Sequence, residues 1–199
     1  YITDRAGLLI ERVQGQIYTF PHRTFQEYLA ACHLAGPDFP RSLARLLRDD
    51  DARWREAALL AAAKAVSGTP SAIWNLLSVF CPRDWPPPRP VVEADWYAVL
   101  RGTQALMETE QEAEVPEDEG YLIERLRTWI VQLLAHGALP VRERVEAGSL
   151  LNHLPGGDPR PEVTKVREIR WLDVPKGACW IGSTAEGAYD DERPQATRP

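Results

Sequence analysis

The side chains with the widest chemical range in this 199-residue sequence are four histidines and three cysteines, and they are scattered along the chain. Cys32, Cys81 and Cys179 lack the paired spacing of a zinc site or a disulfide framework. Neither a nucleophile motif of the G-x-S-x-G type nor a phosphate loop (G-x-x-x-x-G-K-[ST] or G-x-G-x-x-G) is present. The sequence therefore predicts no catalytic residue, no metal site and no cofactor of its own. Free thiols are typical of a reducing compartment, so we expect the protein in the cytoplasm.

One histidine has a setting in which it could bind an anion. His22 directly precedes a predicted helix, whose start is indicated by Thr24 and Glu27 at capping-box spacing. An imidazole N–H can donate to phosphate, and the N-terminus of a helix favours anions. His22 is therefore the candidate site residue. The alternative is a histidine that caps or packs at a corner between strand and helix.

The elements that would position His22 are a hairpin and one helix. Leu8 to Ile10 and Ile17 to Phe20 predict two short strands around the turn residues Gln14-Gly15, and Pro21 ends the second strand. The helix that follows should end at Gly36-Pro37. One helical face carries Phe25, Tyr28, Leu29 and Cys32, and the first three of these are the predicted core residues.

The middle of the chain has the pattern of one helix after another. The predicted helices are Ser42 to Arg48, Ala52 to Val66, Ser71 to Phe80, Asp95 to Met107, Tyr121 to His136 and Val141 to Leu154. The fifth of them has the clearest apolar stripe: Leu122, Ile123, Leu126, Trp129, Ile130, Leu133 and Leu134. Gly68-Thr69-Pro70, the proline-rich 82–90 stretch and an acidic stretch separate the helices. Helical pairs of this length favour a short α-solenoid of the HEAT kind, although no exact repeat is present.

The composition changes after the Pro155 to Pro159 segment. Ile169 to Leu172 and Cys179 to Ile181 alternate as strands do, around a turn at Pro175-Lys176-Gly177. A domain that contains β structure is expected to begin here, with Cys179 as a buried strand thiol. The predicted fold class is mainly α: a hairpin with one helix, a short HEAT-like array and the start of an α+β domain.

The charge distribution argues against a nucleic acid partner, and the length of the apolar stretches argues against a membrane one. Seven acidic residues lie between Glu108 and Glu119 without a base, and without them the net charge of −6 becomes +1. These acids are typical of a solvated loop between helices. No basic stripe is present, and the charges up to Gly36 cancel, so DNA binding by the N-terminal hairpin and helix is not favoured. The most apolar stretch, Ala57 to Val66, is too short to span a bilayer.

A resemblance to a known family rests on Gly7-Leu8-Leu9 and on the run from Phe20 to Ala31, FPHRTFQEYLAA. This region resembles the winged helix that closes the NACHT module of STAND-type NTPases, where a small hairpin precedes F-x-H-x-x-F-Q-E-Y/F-x-A-A. The resemblance implies that His22 contacts the β-phosphate of ADP and holds an inactive, closed state. It also implies an upstream NTPase module in the same chain that binds ADP or ATP, and other protein subunits are further candidate partners.

Three further segments resemble regions found in such proteins. Ala52 to Ala62 is similar to a helix that commonly follows NACHT modules, and Arg142 to Pro161 is similar to a segment that often precedes a formylglycine-generating-enzyme-like domain. Trp171 to Ser183, followed by Asp191-Glu192-Arg193-Pro194, resembles the opening of that domain, also called sulfatase-modifying-factor-like, with a C-type-lectin-like fold. Ile181 replaces the usual Met, and the basic residue expected after Pro194 is missing.

These patterns predict three regions and one leading function. We expect the end of a NACHT-associated winged helix over 1–36, a helical HEAT-like region over 37–160 and a truncated formylglycine-generating-enzyme-like domain over 161–199. The leading hypothesis is a non-catalytic connector within a larger nucleotide-switched signalling protein. The alternatives are the N-terminal region of a formylglycine-generating oxidase and a purely structural helical scaffold. The parent protein could thus be an NTPase or an oxidase, whereas the chain itself is expected to be inert.

Overall fold

The chain divides into two compact units, Tyr1–Pro159 and Arg160–Pro199. The structure, a computed structural model, describes residues 9–13, 16–81, 85–169, 171, 173 and 177, and the backbone of 179–181 and 196–198. Within these residues the first unit contains a hairpin and seven α-helices, so the predicted mainly helical fold class is confirmed. The expected limits at residues 36 and 160 between three functional regions stay predictions.

The hairpin lies close to where the sequence predicts it. Strand β1 (Ile10–Val13) pairs antiparallel with β2 (Ile17–Thr19), with Ile10 opposite Thr19 and an irregularity between Glu11 and Val13. The first strand thus begins later than the Leu8 to Ile10 prediction, and Gln14, Gly15 and Leu8 lie outside the described residues.

Helix α1 spans Arg23–Leu34 and begins one residue before the predicted start at Thr24. The expected capping box is wrong. His22 occupies the N-cap position, and no side chain caps the helix, because Thr24 already lies inside the first turn. Glu27 instead accepts a hydrogen bond from Arg23 Nε at 2.6 Å, one helical turn away.

All six helices predicted for the middle of the chain are present, with ends that shift by a few residues. They are α2 (Arg41–Asp49), α3 (Asp51–Gly68), α4 (Ala72–Phe80), α5 (Glu93–Glu108), α6 (Gly120–Ala135) and α7 (Val141–His153). Side chains set several of the starts. Asp50 accepts from the Arg53 amide at the head of α3, and Asp95 accepts from the Val92 amide at the head of α5, each at 3.0 Å. Gly137, with φ of 61°, follows α6 and favours its end.

The helices of the first unit pack in two rows. The odd row consists of α1, α3, α5 and α7, in which each helix contacts the next, and the even row consists of α2, α4 and α6, which do the same. Helices that are consecutive from α2 to α7 pack against one another across the rows, and α2 also contacts α5. Contact with sequence neighbours and next neighbours is the arrangement of a short array of helical pairs.

The core lies between the rows. The stripe predicted for α6 is buried except for the half-buried Leu134. Trp129 is fully buried and contacts Trp85 and Trp96, with ring centroids 4.9 and 5.3 Å away. The acidic stretch forms two 3₁₀ turns, Gln111–Glu114 and Glu117–Glu119, between α5 and α6. Its acids are mostly exposed, so the expected solvated loop is confirmed.

The second unit begins with a short helix, α8 (Pro161–Thr164), and a 3₁₀ turn, Val166–Glu168. The predicted strand at Cys179–Ile181, β3, is present, but its partner is β4 (Ala196–Arg198) in the polar tail. The expected partner strand at Ile169 to Leu172 is not formed at its described residues, Ile169 and Trp171. The predicted turn at Pro175-Lys176 and the Cys179 side chain lie outside the described residues.

Candidate functional site

His22 lies at the N-cap of α1, between the end of the hairpin and the first helical turn. Its backbone is extended, with φ of −128° and ψ of 136°, and its side chain is exposed. The imidazole makes no capping hydrogen bond, and its ring centroid lies 6.0 Å from that of Phe25. The ring is therefore accessible from solvent, at the end of a helix where the exposed backbone N–H groups favour an anion.

Arg23, the cation beside His22, already forms an ion pair with Glu27. Arg23 is exposed, and its guanidinium binds Glu27, whose side chain is largely buried. The Arg23 charge is therefore partly compensated within α1. The structure places the Phe25 ring beside His22, and the α1 residues that it describes include no unpaired arginine or lysine. Any role of this site in anion binding therefore depends on the imidazole and the helix end.

Two open grooves lie beside the first turns of α1. One, of about 610 Å³, is lined by residues of α1, α2, α3, α5 and α7, and a second, of about 580 Å³, lies between α1 and α3. Arg23, Glu27 and Ala52 line both, whereas His22 lines neither. The first groove carries six carboxylates against four guanidinium groups, an excess of negative charge. Burial and the nearby carboxylates of Glu143, Glu93 and Asp51 raise the pKa of Tyr97 on its wall.

A charged cluster, which we call the Arg101 clamp, forms part of the first groove and links three helices of the odd row. It consists of Asp51 and Arg55 of α3, Arg101 of α5 and Glu146 of α7. The Arg101 guanidinium binds the Asp51 carboxylate through two nitrogens: Nε lies 3.0 Å from Oδ1 and Nη2 lies 2.8 Å from Oδ2. Arg101 Nη1 and Arg55 Nη2 bind Glu146 at 3.4 and 3.1 Å. The clamp thus joins α3, α5 and α7 by charge-assisted hydrogen bonds.

Arg101 stays charged although it is buried. Its side chain is only 2% exposed, and burial alone would lower the pKa. The hydrogen bonds and the negative charge of Asp51, with a further contribution from Glu146, outweigh this effect and raise the pKa of Arg101 above its ordinary value. A buried charge that has lost its partner is strongly unfavourable, so the clamp residues depend on one another.

The face of α1 that was predicted to lie in the core is exposed. Phe25, Tyr28 and Leu29 have exposed fractions of 42%, 52% and 46%, and Cys32 is half-buried. The residues of α1 that reach the core are Ala31 and Leu34, on the face that packs against α3. The periodicity of α1 identified an apolar face correctly, but a different pair of residues, Ala31 and Leu34, forms the buried contact within this chain.

The described part of the chain holds no group of three or more His, Cys, Asp or Glu side chains arranged to bind a metal ion. None of its helices is both long and apolar enough to cross a bilayer. The Arg101 clamp was missed by sequence reasoning, because Arg101 lies 50 positions from Asp51 and 45 from Glu146. No local spacing rule links residues that are so far apart.

Comparison with known proteins finds a family match for one region of the chain, its N-terminal segment. A family model described as the winged helix-turn-helix domain C-terminal to NACHT matches residues 1–34, and Leu34 is also the last residue of α1. Neither the curated proteins nor the solved structures contain a significant match to the chain. The match includes His22 and leaves out α2 to α8 and the strands β3 and β4. The N-terminal segment is thus similar to a NACHT-associated winged helix.

Proposed function

We propose that this chain is the non-catalytic regulatory and connecting part of a nucleotide-switched signalling protein with a NACHT-type NTPase module in the same polypeptide. The observation that supports this most directly is the family match over residues 1–34, which contains the exposed His22 at the head of α1. The cytoplasm is the compartment we propose for it, where ADP and ATP are available to the NTPase module.

The proposed role of His22 is to donate a hydrogen bond to the β-phosphate of ADP. Its side chain is exposed and has no capping bond to give up, and the helix end adds favourable electrostatics. A contact made in the ADP-bound, closed state and absent in the ATP-bound state shifts the population toward the closed state by its own free energy. Exchange of ADP for ATP would then release α1.

The remainder of the first unit would carry that motion onward. Helix α1 packs against α3, and the Arg101 clamp joins α3 to α5 and α7. Displacement of α1 would therefore act on a packed array of helices that is held together by a buried core and by charged hydrogen bonds. This arrangement fits a connector, since it provides a continuous path of packed elements from α1 to α7.

Replacement of His22 tests this function in the complete protein. A hydrogen bond to a charged group contributes about 1.5–3 kcal/mol, so His22→Leu should weaken ADP binding about ten- to hundredfold and raise basal signalling. His22→Gln keeps a donor and should weaken binding less. His33→Leu is a matched control, because His33 is also exposed on α1 but lies in its last turn. ADP affinity and basal activity that are unchanged in His22→Leu would refute the sensor role and favour the structural helical scaffold.

The residues after Arg160 carry a separate proposal, the start of a formylglycine-generating-enzyme-like domain. It is supported by the Trp171 to Ser183 motif and by the strand Cys179–Ile181, which lies within that motif and pairs with Ala196–Arg198. If the parent protein were chiefly such an oxidase, it would convert a peptide cysteine to formylglycine. Mass spectrometry of a cysteine-containing peptide incubated with the complete protein distinguishes this alternative from a non-catalytic lectin-like domain.

A further inference from the structure

Helix α3 occupies the central position between α1 and the rest of the odd row, and its buried face is made largely of alanine. Its buried residues are Ala57, Ala58, Leu59, Ala61, Ala62 and Val66. Small side chains let neighbouring helices approach closely, but they form low ridges that interdigitate little. Apolar packing alone therefore resists a small slide or rotation of α3 only weakly.

The Arg101 clamp supplies the directional contacts that the alanine face lacks. Three nitrogen-to-oxygen contacts join Arg101 to Asp51, at 2.8, 3.0 and 3.2 Å, and the Asp51 side chain is only 10% exposed. A shift of α3 by one residue along its axis moves Asp51 by about 1.5 Å, which is enough to break a two-point contact of this kind. Water cannot readily replace the lost partner, because Arg101 is 2% exposed.

Glu146 and Arg55 make the clamp a closed set of contacts. Glu146 of α7 accepts a hydrogen bond from Arg101 of α5 on Oε2 and another from Arg55 of α3 on Oε1. The same α3 helix is thus held at Asp51 and again at Arg55, one turn later. Two points of attachment one turn apart fix rotation about the helix axis as well as translation along it.

We infer that Arg101 is a positioning residue for α1: the clamp fixes the register of α3, and α3 fixes the place of the helix that bears His22. The part of this inference that concerns nucleotide binding rests on the proposed function, whereas the part that concerns the placement of α1 does not. Arg101 acts here through α3, whose Asp51 it binds.

Hydrogen exchange on the present chain tests the placement of α1 without any nucleotide. In Arg101→Leu, the amides of α1 and of the first turns of α3 should exchange about tenfold faster, while those of α4 and α6 keep their rates. Arg101→Lys keeps the charge and loses the two-point geometry, so an intermediate effect is expected. Arg45→Leu removes an exposed ion pair with Asp38 and is the control, in which α1 should be unaffected.

Two milder variants keep the test decisive if Arg101→Leu does not fold. Asp51→Asn and Glu146→Gln preserve side-chain shape and should give the same selective increase in exchange at α1, larger for Asp51→Asn because it removes the two-point contact. An increase that is uniform over all seven helices would show only general stabilisation and would overturn the inference. So would α1 rates that stay at the value of the unaltered chain.

A double substitution in the complete protein tests the link to His22. Arg101→Leu should speed ADP dissociation about tenfold when His22 is present and add little in a His22→Leu background, because both changes then remove the same contact. Equal effects in the two backgrounds would overturn the link through His22. If His22→Leu alone leaves ADP binding unchanged, the proposed function fails, while the exchange experiment still decides the placement of α1.

Discussion

Cys81 shows how strongly its surroundings alter the chemistry of a single side chain. It lies at the C-terminal end of α4 and is 2% exposed. Burial raises the pKa of its thiol to about 12, although the positive charge of Arg125 acts in the opposite direction. Cys32 on α1 is only half-buried. Residues of one type, both predicted from the sequence to be free thiols, thus differ in their accessibility.

Alkylation should therefore discriminate between these two thiols. At about pH 8, iodoacetamide should modify Cys32 much faster than Cys81, because a protonated, buried thiol is a poor nucleophile. Peptide mass spectrometry at several reaction times measures both rates. In guanidinium chloride the two should react alike, and equal rates in the native protein would contradict the burial of Cys81.

The same thiol makes a pH-dependent contribution to stability. Because its pKa is higher in the folded chain than the ordinary value of 9.0, the folded state binds the proton more tightly. The stabilisation is complete below pH 9.0 and is lost as the pH rises from there toward 12.

At the scale of single residues, the sequence identifies those that belong to local motifs and misses those whose partners lie far away along the chain. His22 is found because its neighbours from Phe20 to Ala31 form a contiguous pattern. Arg101 has no such pattern, since its partners Asp51 and Glu146 belong to helices far away in the sequence. Only the packing of the odd row brings these three together.

At the scale of the elements, helices α4 and α5 pack closely against each other at Gly102. A Cβ atom at this position would lie 3.2 Å from Leu77 Cδ2 and 3.4 Å from Phe80 Cβ. Gly148 on α7 is also inside a helix, but a Cβ there would meet no atom within 4 Å. The two glycines therefore have the same backbone role and opposite packing environments.

Alanine substitutions at these glycines should have opposite effects on stability. Gly148→Ala should stabilise the chain by about 0.5–1 kcal/mol, because alanine is the better helix former. In Gly102→Ala the same gain is opposed by overpacking, which costs about 1–3 kcal/mol, so a net loss of about 1 kcal/mol is expected. Urea denaturation of both variants measures the difference, and equal stabilisation would show that Leu77 and Phe80 move aside freely.

The helices are well predicted as elements and less well as packed surfaces. Apolar periodicity locates α2 to α7 because each buries a stripe against the same core. The prediction that Phe25, Tyr28 and Leu29 are core residues is wrong for this chain, since periodicity shows which face is apolar without showing what covers it. The partner of β3 is missed because β4 lies in a polar tail with no apolar alternation.

On the scale of the whole molecule, the described core belongs to the first unit. Its buried apolar residues lie between Ala31 and Leu154, and the boundary to the second unit follows Pro159. The first unit is also large enough to bury a sizeable fraction of its surface. Its stability should therefore depend on its own helices.

A chain that ends at Pro159 should consequently fold like the full one. We expect its helical signal to melt cooperatively, with a Tm within about 3 °C of the full chain, in circular dichroism. A chain that ends at Leu139 is the control. It lacks α7 with the buried Ala147, Leu151 and Leu154 and should lose much of its stability. Loss of cooperative melting in the longer variant would show that residues 160–199 are needed for the helical core.

The two-row arrangement also has a consequence for how the array can come apart. Contacts between near neighbours in sequence allow a stack of helices to open from its ends without crossing a global barrier. Helix α1 is the first member of its row: α3 holds one side, and Phe25, Tyr28 and Leu29 lie exposed on another. We therefore expect α1 to detach while α3 to α7 remain folded, so the helix that bears His22 is one that the stack can release from its end.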